Sequence, residues 1–210
     1  MVRRKAFAIG LLSFGIGLTL TARGDGGIIV STPTNTSKSL LRGHEGVFGA
    51  PRANGKTHTG VDIVANQSSM DKNDYRVTAV ADGTVAYAMI NGEGPGEGYG
   101  YTVIIDHQNG TYTLYAHLAT IASSGLVKVG DAITKGTVIG FMADLANNES
   151  SSGNVIAKSV PSYDKIQLHF EEFNAPAGRT STSKTAIIKQ GGTILDPTLD
   201  LTTHGYTQAD

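Results

Sequence analysis

Short apolar runs in which hydrophobic and polar residues alternate with a period of two recur through the middle of the chain, each bounded by turn-forming residues. Arg76–Ala81, Gly83–Ile90, Tyr101–Asp106, Thr111–Leu118, Thr137–Met142 and Lys165–Phe170 all read this way. Alternate residues of an extended chain point to opposite faces, so each run can bury one face against a core. Asp82-Gly83, Asn109-Gly110, Gly130-Asp131 and Lys135-Gly136 stand between the runs, where an antiparallel sheet has to reverse. No long stretch repeats its apolar residues every 3.6 positions, so helix is expected to be minor. The pattern predicts a mostly β fold, a compact antiparallel twisted sheet with long surface loops. Two of those loops, Asp144–Asp164 and Asn174–Gly192, flank the same strand and are expected to shape a groove beside it.

The ends of the chain read differently. Arg3, Arg4 and Lys5 precede an apolar, glycine-containing run from Ala6 to Leu20 and then Thr21-Ala22, the pattern of a signal peptide over residues 1–22. Residues 23–42, rich in Gly, Ser, Thr and Asn, are expected to be a linker or flexible arm. The folded domain is then 43–202, with a tail at 203–210. An exported location, periplasmic or extracellular, follows, with no stable membrane insertion after processing.

Composition narrows the chemistry. Removing residues 1–22 leaves 14 basic and 18 acidic residues, so no positive field draws the domain to nucleic acid. There is no cysteine among the 210 residues, which excludes disulfides and lipid attachment at a processed cysteine. Any transition-metal site must be built from histidine and carboxylate. Three segments place such residues at suggestive spacings. In His58-Thr59-Gly60-Val61-Asp62 the two end residues would sit about 13 Å apart in a straight strand, too far to share an ion, so the chain must bend, and Gly60 permits it. In Gln167-Leu168-His169-Phe170-Glu171 the alternation puts Gln167, His169 and Glu171 on one wet face and the apolar residues on the other, and Glu171 reads equally as a carboxylate that orients a ligand and as an exposed strand residue. In Tyr115-Ala116-His117-Leu118 it puts Tyr115 and His117 on one side. Each histidine taken alone reads as a satisfied strand residue; the combination is what carries chemistry. His107 reads as a turn residue bonded to backbone, and His44 and His204 as solvated.

Taken in order, His58-Thr-Gly-Val-Asp62, Ala81-Asp-Gly-Thr-Val85, Val103-Ile-Ile-Asp-His107, Leu114-Tyr-Ala-His117-Leu118, Val127-Lys-Val-Gly-Asp131, Leu168-His169-Phe-Glu171 and Leu195-Asp-Pro197 resemble the lysostaphin-type (LytM-like) zinc metallo-endopeptidases, peptidoglycan hydrolases. The resemblance covers about residues 43–172. It implies a metallopeptidase domain that acts as a monomer on the peptide cross-links of peptidoglycan, with one Zn2+ per chain. The family's His-x-Gly-x-Asp motif falls on His58 and Asp62 and the second histidine of its His-x-His motif on His169, which the resemblance makes the zinc ligands. Its Tyr-x-His motif makes His117 catalytic. The first position of His-x-His is Gln167, which takes the second catalytic place but cannot carry a proton, and the short Ser/Thr-Gly segment usual before this strand is replaced by the Asp144–Asp164 loop. A second reading is therefore a degenerate domain that binds peptidoglycan or activates a hydrolase without cutting.

Overall fold

The computed structural model describes residues 29, 31–37, 39–52, 55–65, 72–91, 99–144, 166–175 and 184–209. The expected signal peptide and most of the Asp144–Asp164 loop lie outside the described residues. Among the described residues eleven strands are formed: β1 Ser39–Leu41, β2 Val61–Ala65, β3 Arg76–Thr78, β4 Gly83–Asn91, β5 Gly100–Asp106, β6 Thr111–Leu118, β7 Ala132–Ile133, β8 Val138–Phe141, β9 Ala143–Asp144, β10 Ile166–Asn174 and β11 Thr193–Leu195. Among the described residues helix comprises α1 Thr120–Ser123, α2 Lys184–Lys189, α3 Thr198–Thr203 and short 3-10 turns such as His44–Gly46 and Lys72–Tyr75, and none of these is long and apolar enough to cross a membrane. The fold is mostly antiparallel β, as the alternation predicts. Nine strands share one sheet in the order β1-β2-β10-β6-β5-β4-β7, with β9 and β11 also on β10, while β3 and β8 form a separate pair.

The sheet's two faces separate cleanly. Val61, Ile63, Leu168, Phe170, Tyr115, Val103, Ile105 and Val85 line one face and join the main core, with Tyr115 edge-on to Phe170. The other face carries a smaller cluster of Ile104, Tyr112, Leu114, Ala116 and Phe173. Asp62 and His169 occupy this second face too, because His169 pairs with Asp62 on one side and Ala116 on the other. Burial of these apolar side chains, each contributing about 1.5–3 kcal/mol, thus holds β2, β10 and β6 in the register that brings polar residues together.

Two boundaries differ from the expected ones. Strand β10 does not stop at Phe170 but runs to Asn174, where it pairs with β6 and β11 and both Glu171 and Glu172 are buried. The described part of the expected linker at 23–42 also packs into the domain: Ser39–Leu41 pairs with β2, and Ile29 and Thr34 are buried. The Thr34 N–H donates to the Tyr206 hydroxyl at 2.9 Å, and that hydroxyl donates back to the Thr34 carbonyl at 3.1 Å. In the expected tail, residues 207–209 in turn lie along β1, with Leu41 N–H donating to Thr207 O and Ala209 N–H to Leu41 O. Neither end shows periodicity, so neither showed these contacts in the sequence.

Candidate metal centre

His58 is placed by a local reversal. Its N–H donates to Ala50 O and its carbonyl accepts from Gly49 N–H, so residues 49–51 and 57–58 run antiparallel and the His58 ring reaches Val47, where Nδ1–H donates to the carbonyl at 2.9 Å. The chain then bends at Gly60 before entering β2, and Asp62 Oδ1 comes within 3.2 Å of His58 Nε2. The bend is the one the spacing requires, but Gly60 serves a second purpose. A Cβ there would lie 2.2 Å from Phe170 O and 2.7 Å from Glu171 Cγ, so glycine is what lets the segment lie against β10. The atom struck is a carbonyl of a central strand and cannot move aside. Gly60→Ala is therefore expected to cost about 1–3 kcal/mol or more of stability, read as a lower urea midpoint; an unchanged midpoint would contradict the close approach.

His169 completes a triangle. Its Nδ1 lies 2.9 Å from His58 Nε2 and 3.1 Å from Asp62 Oδ1, and all three residues are buried. The chemistry of these donors decides what the triangle suits. A carbonyl only accepts, so the proton of neutral His58 sits on Nδ1 toward Val47 and its Nε2 lone pair faces inward. His169 Nε2 lies 2.9 Å from Glu171 Oε1, so its N–H points there and its Nδ1 lone pair also faces inward. With Asp62 Oδ1, three lone pairs converge on one point, a set that a cation satisfies and that repels itself otherwise. Two donors on a tetrahedral zinc stand ~3.4 Å apart when its bonds are ~2.1 Å, so the observed separations fit with little adjustment. Histidine and carboxylate are also the donors such a metal takes.

The electrostatics show the same pull on positive charge: without a cation, protons on the inward imidazole nitrogens take its place against Asp62. Burial would raise the pKa of Asp62, but hydrogen bonds with His169 and His58 outweigh it and hold the carboxyl well below its ordinary range. Burial likewise disfavours a proton on His169, yet the bonds to Asp62 and Glu171 and their charges draw positive charge to it and raise its pKa. The second oxygen of Asp62 faces Arg52, whose Nη2 is 3.5 Å away.

His117 reaches the site by a device that alternation does not show. In a regular strand it would follow Tyr115 onto the core face, away from His169. Instead it has φ of 58°, and β6 advances three residues from Tyr115 to Leu118 while β5 advances two from Val103 to Tyr101. This bulge re-aims the side chain: the His117 ring lies edge-on to that of His169, with centroids 5.9 Å apart. The expectation that Tyr115 and His117 share a side is thus corrected, since Tyr115 is wholly buried in the core.

Gln167 shares the face of His169, as the alternation predicts, and its Oε1 accepts from Arg42 Nη1 at 3.3 Å. Arg42 is brought there because its N–H donates to Asp62 O, extending the β1–β2 pairing by one residue. The face is not wet at Glu171, which is fully buried beneath Thr59, Tyr99 and Lys184. Tyr99 stacks on the His169 ring at 5.2 Å and 19°. Arg42, Arg52 and Lys184 were not singled out by sequence, since their segments carry no pattern that ties them to the histidines; Thr59, inside the His58–Asp62 motif, was not read as a site residue, and Tyr99 read as a residue that lines a groove or packs locally. Outside the site, His107 bridges the Asp82 carbonyl and the Thr113 hydroxyl, and burial lowers its pKa. His44 is exposed, while His204 is half-buried beside the Asp200 carbonyl.

The sequence model described as Peptidase family M23 matches residues 56–174, more than half of the chain, and takes in His58, Asp62, His117, Gln167 and His169. DD-carboxypeptidase/endopeptidase Mpg of Neisseria meningitidis serogroup B, and that of Neisseria gonorrhoeae, are each 38% identical to this chain over 79 residues. That match spans 37% of this chain and 16% of either relative. Among solved structures, that of lysostaphin superposes with a TM-score of 0.50 at 21% identity, covering 88% of this chain and 58% of lysostaphin. At that identity the likeness is one of fold.

Proposed function

This chain belongs to Peptidase family M23, and from that membership and the His58–Asp62–His169 triangle we propose a zinc-dependent endopeptidase that hydrolyses peptide bonds of bacterial peptidoglycan cross-links. The observation that carries the reading is the convergence of three buried lone pairs within 2.9–3.2 Å of one another. His58, Asp62 and His169 would hold one Zn2+, and three protein donors leave the open position of a catalytic rather than a structural site. The chemistry the ion supplies when bound is Lewis acidity, which makes a nucleophilic water more acidic and polarises the scissile carbonyl.

The remaining work falls to the chain's own side chains. His117 stands beside the triangle without entering it, and an imidazole changes its protonation near neutral pH; it takes a proton from the attacking water and returns it to the leaving amine. Gln167 cannot share that task. Its Oε1 is occupied by Arg42, and arginine only donates, so the amide's N–H2 is the end left for substrate and Gln167 acts as a hydrogen-bond donor to a carbonyl. The Val47 carbonyl and Glu171 keep the two ligand imidazoles, His58 and His169, oriented throughout. Export rests on the Met1–Ala22 pattern and agrees with a cell-wall substrate.

Digestion of purified peptidoglycan sacculi by the zinc-loaded chain, with His58→Ala as control, tests the reading. New peptide-bond cleavage products, identified by mass and absent from the control, are expected. A folded, zinc-bound protein that releases nothing would overturn the endopeptidase and leave the binding or activating role.

A further inference from the structure

We propose that Lys184, carried into the site by α2, is a positioning residue for the metal centre, acting through Glu171 on His169, so that docking of this helix and metal binding are coupled. The inference rests on the reading of the triangle as a zinc site and adds a residue that comes from the Asn174–Gly192 stretch rather than from any of the motifs. It begins with a gap in the sheet. On one edge of β10, pairing with β2 ends at Phe170 and pairing with β11 begins at Glu172, so no strand lies beside Glu171 there. Glu171 nevertheless has no exposed side-chain surface.

Gly60, the residue beside Glu171 on that edge, has no side chain to cover it, and Lys184 covers it instead. Its Nζ lies 2.6 Å from Glu171 Oε1 and 2.5 Å from Oε2, and it donates to Thr59 Oγ1 at 3.0 Å and Tyr99 OH at 2.9 Å. An ammonium has three N–H donors, and Glu171, Thr59 and Tyr99 supply an acceptor for each. The side chain is only 14% exposed, and among the described residues no other lysine or arginine pairs with Glu171. Thr59 and Tyr99 each also donate to Glu171 Oε1, at 2.5 and 2.9 Å. Lys184 therefore touches both supports of His169: the carboxylate that holds its Nε2–H, and the tyrosine whose ring stacks on it.

The consequence is a matter of tautomer and charge. His169 presents Nδ1 to the triangle because Nε2–H is held by Glu171, and a carboxylate in that position fixes ring orientation and strengthens the ligand. A buried carboxylate stays put only while a cation matches it. Asp62 has Arg52 and Glu171 has Lys184, so each carboxylate carries its own counter-charge and the inward lone pairs are left for the metal. Removing Lys184 frees Glu171 to turn away from His169. By linkage, whatever α2 gives to metal binding, the metal returns to the docking of α2.

Zinc affinity of the full chain, measured by competition with a chromophoric chelator, tests this in Lys184→Met, Lys184→Arg, Glu171→Gln and the Lys184→Met/Glu171→Gln double variant. Lys184→Met is expected to weaken zinc binding by about 10–100-fold, with part of the loss restored by Lys184→Arg. The double variant should bind no more weakly than Glu171→Gln alone, since Lys184 acts through that carboxylate. Wild-type affinity in Lys184→Met, or losses that multiply in the double variant, would overturn the role. A wild-type chain that binds no zinc would instead overturn the metal site itself. Near-UV circular dichroism establishes folding, and if Lys184→Met fails to fold, the double variant, which buries no charge at either position, still gives the comparison with Glu171→Gln.

Discussion

The His169→Ala variant is expected to carry no zinc and to hydrolyse peptide no faster than the metal-free protein, whereas the wild type holds about one zinc per chain after reconstitution. The size of the effect follows from what His169 does in the triangle. It supplies one of three inward lone pairs, 2.9 Å from the second and 3.1 Å from the third, and two protein donors are fewer than catalytic zinc sites use. The substitution also removes the hydrogen-bond partner of two carboxylates, Asp62 and Glu171. Glu171 still has Lys184, and Asp62 still has Arg52, so the charges left behind remain matched and the fold has no reason to fail with the site. Metal content after dialysis, measured beside far-UV circular dichroism, separates the two effects. A folded His169→Ala chain that retains a full equivalent of zinc would place the metal elsewhere.

His169 is also where the sequence was most informative. The period of two assigns Gln167, His169 and Glu171 to one face of a strand and Leu168 and Phe170 to the other, and the register of β10 against β2 and β6 agrees. Local periodicity reports which face a side chain takes, and it found most of the sheet for that reason. It reports nothing about which loops cover that face. Glu171 read equally as a carboxylate orienting a ligand and as an exposed strand residue, and the structure decides for the first at His169; its burial was not legible because its partners, Thr59, Tyr99 and Lys184, lie 112, 72 and 13 residues away in the chain. Gly60 was legible as a bend but not as a close approach, since the carbonyl it makes room for belongs to another strand. Arg42 lay in a segment without periodicity that reads as a linker, yet its placement against Asp62 comes from strand pairing. What escaped the sequence was thus long-range: counter-charges and covers that only tertiary structure assembles.

His117 and Gln167 are expected to separate sharply when each is replaced by alanine, with zinc content unchanged in both. His117→Ala should lower kcat by about 10²–10⁴-fold, the usual contribution of a positioned acid–base group. Gln167→Ala should cost about tenfold or less, the equivalent of one neutral hydrogen bond of ~0.5–1.5 kcal/mol. The difference lies in what each side chain can carry. Imidazole can hold and release a proton near neutral pH, while an amide cannot, and the Gln167 oxygen is already engaged by Arg42. The geometry points the same way: a bulge with φ of 58° at His117 turns the ring out of the core toward His169. A non-glycine residue in the left-handed region is uncommon, and at functional sites such backbone serves to aim a side chain. The comparison needs kcat for both variants on one peptide substrate, with bound zinc measured in the same preparations. An equal or larger loss at Gln167 would reverse the division of labour. Loss of zinc from His117→Ala would mean that the bulge aims a ligand rather than a base.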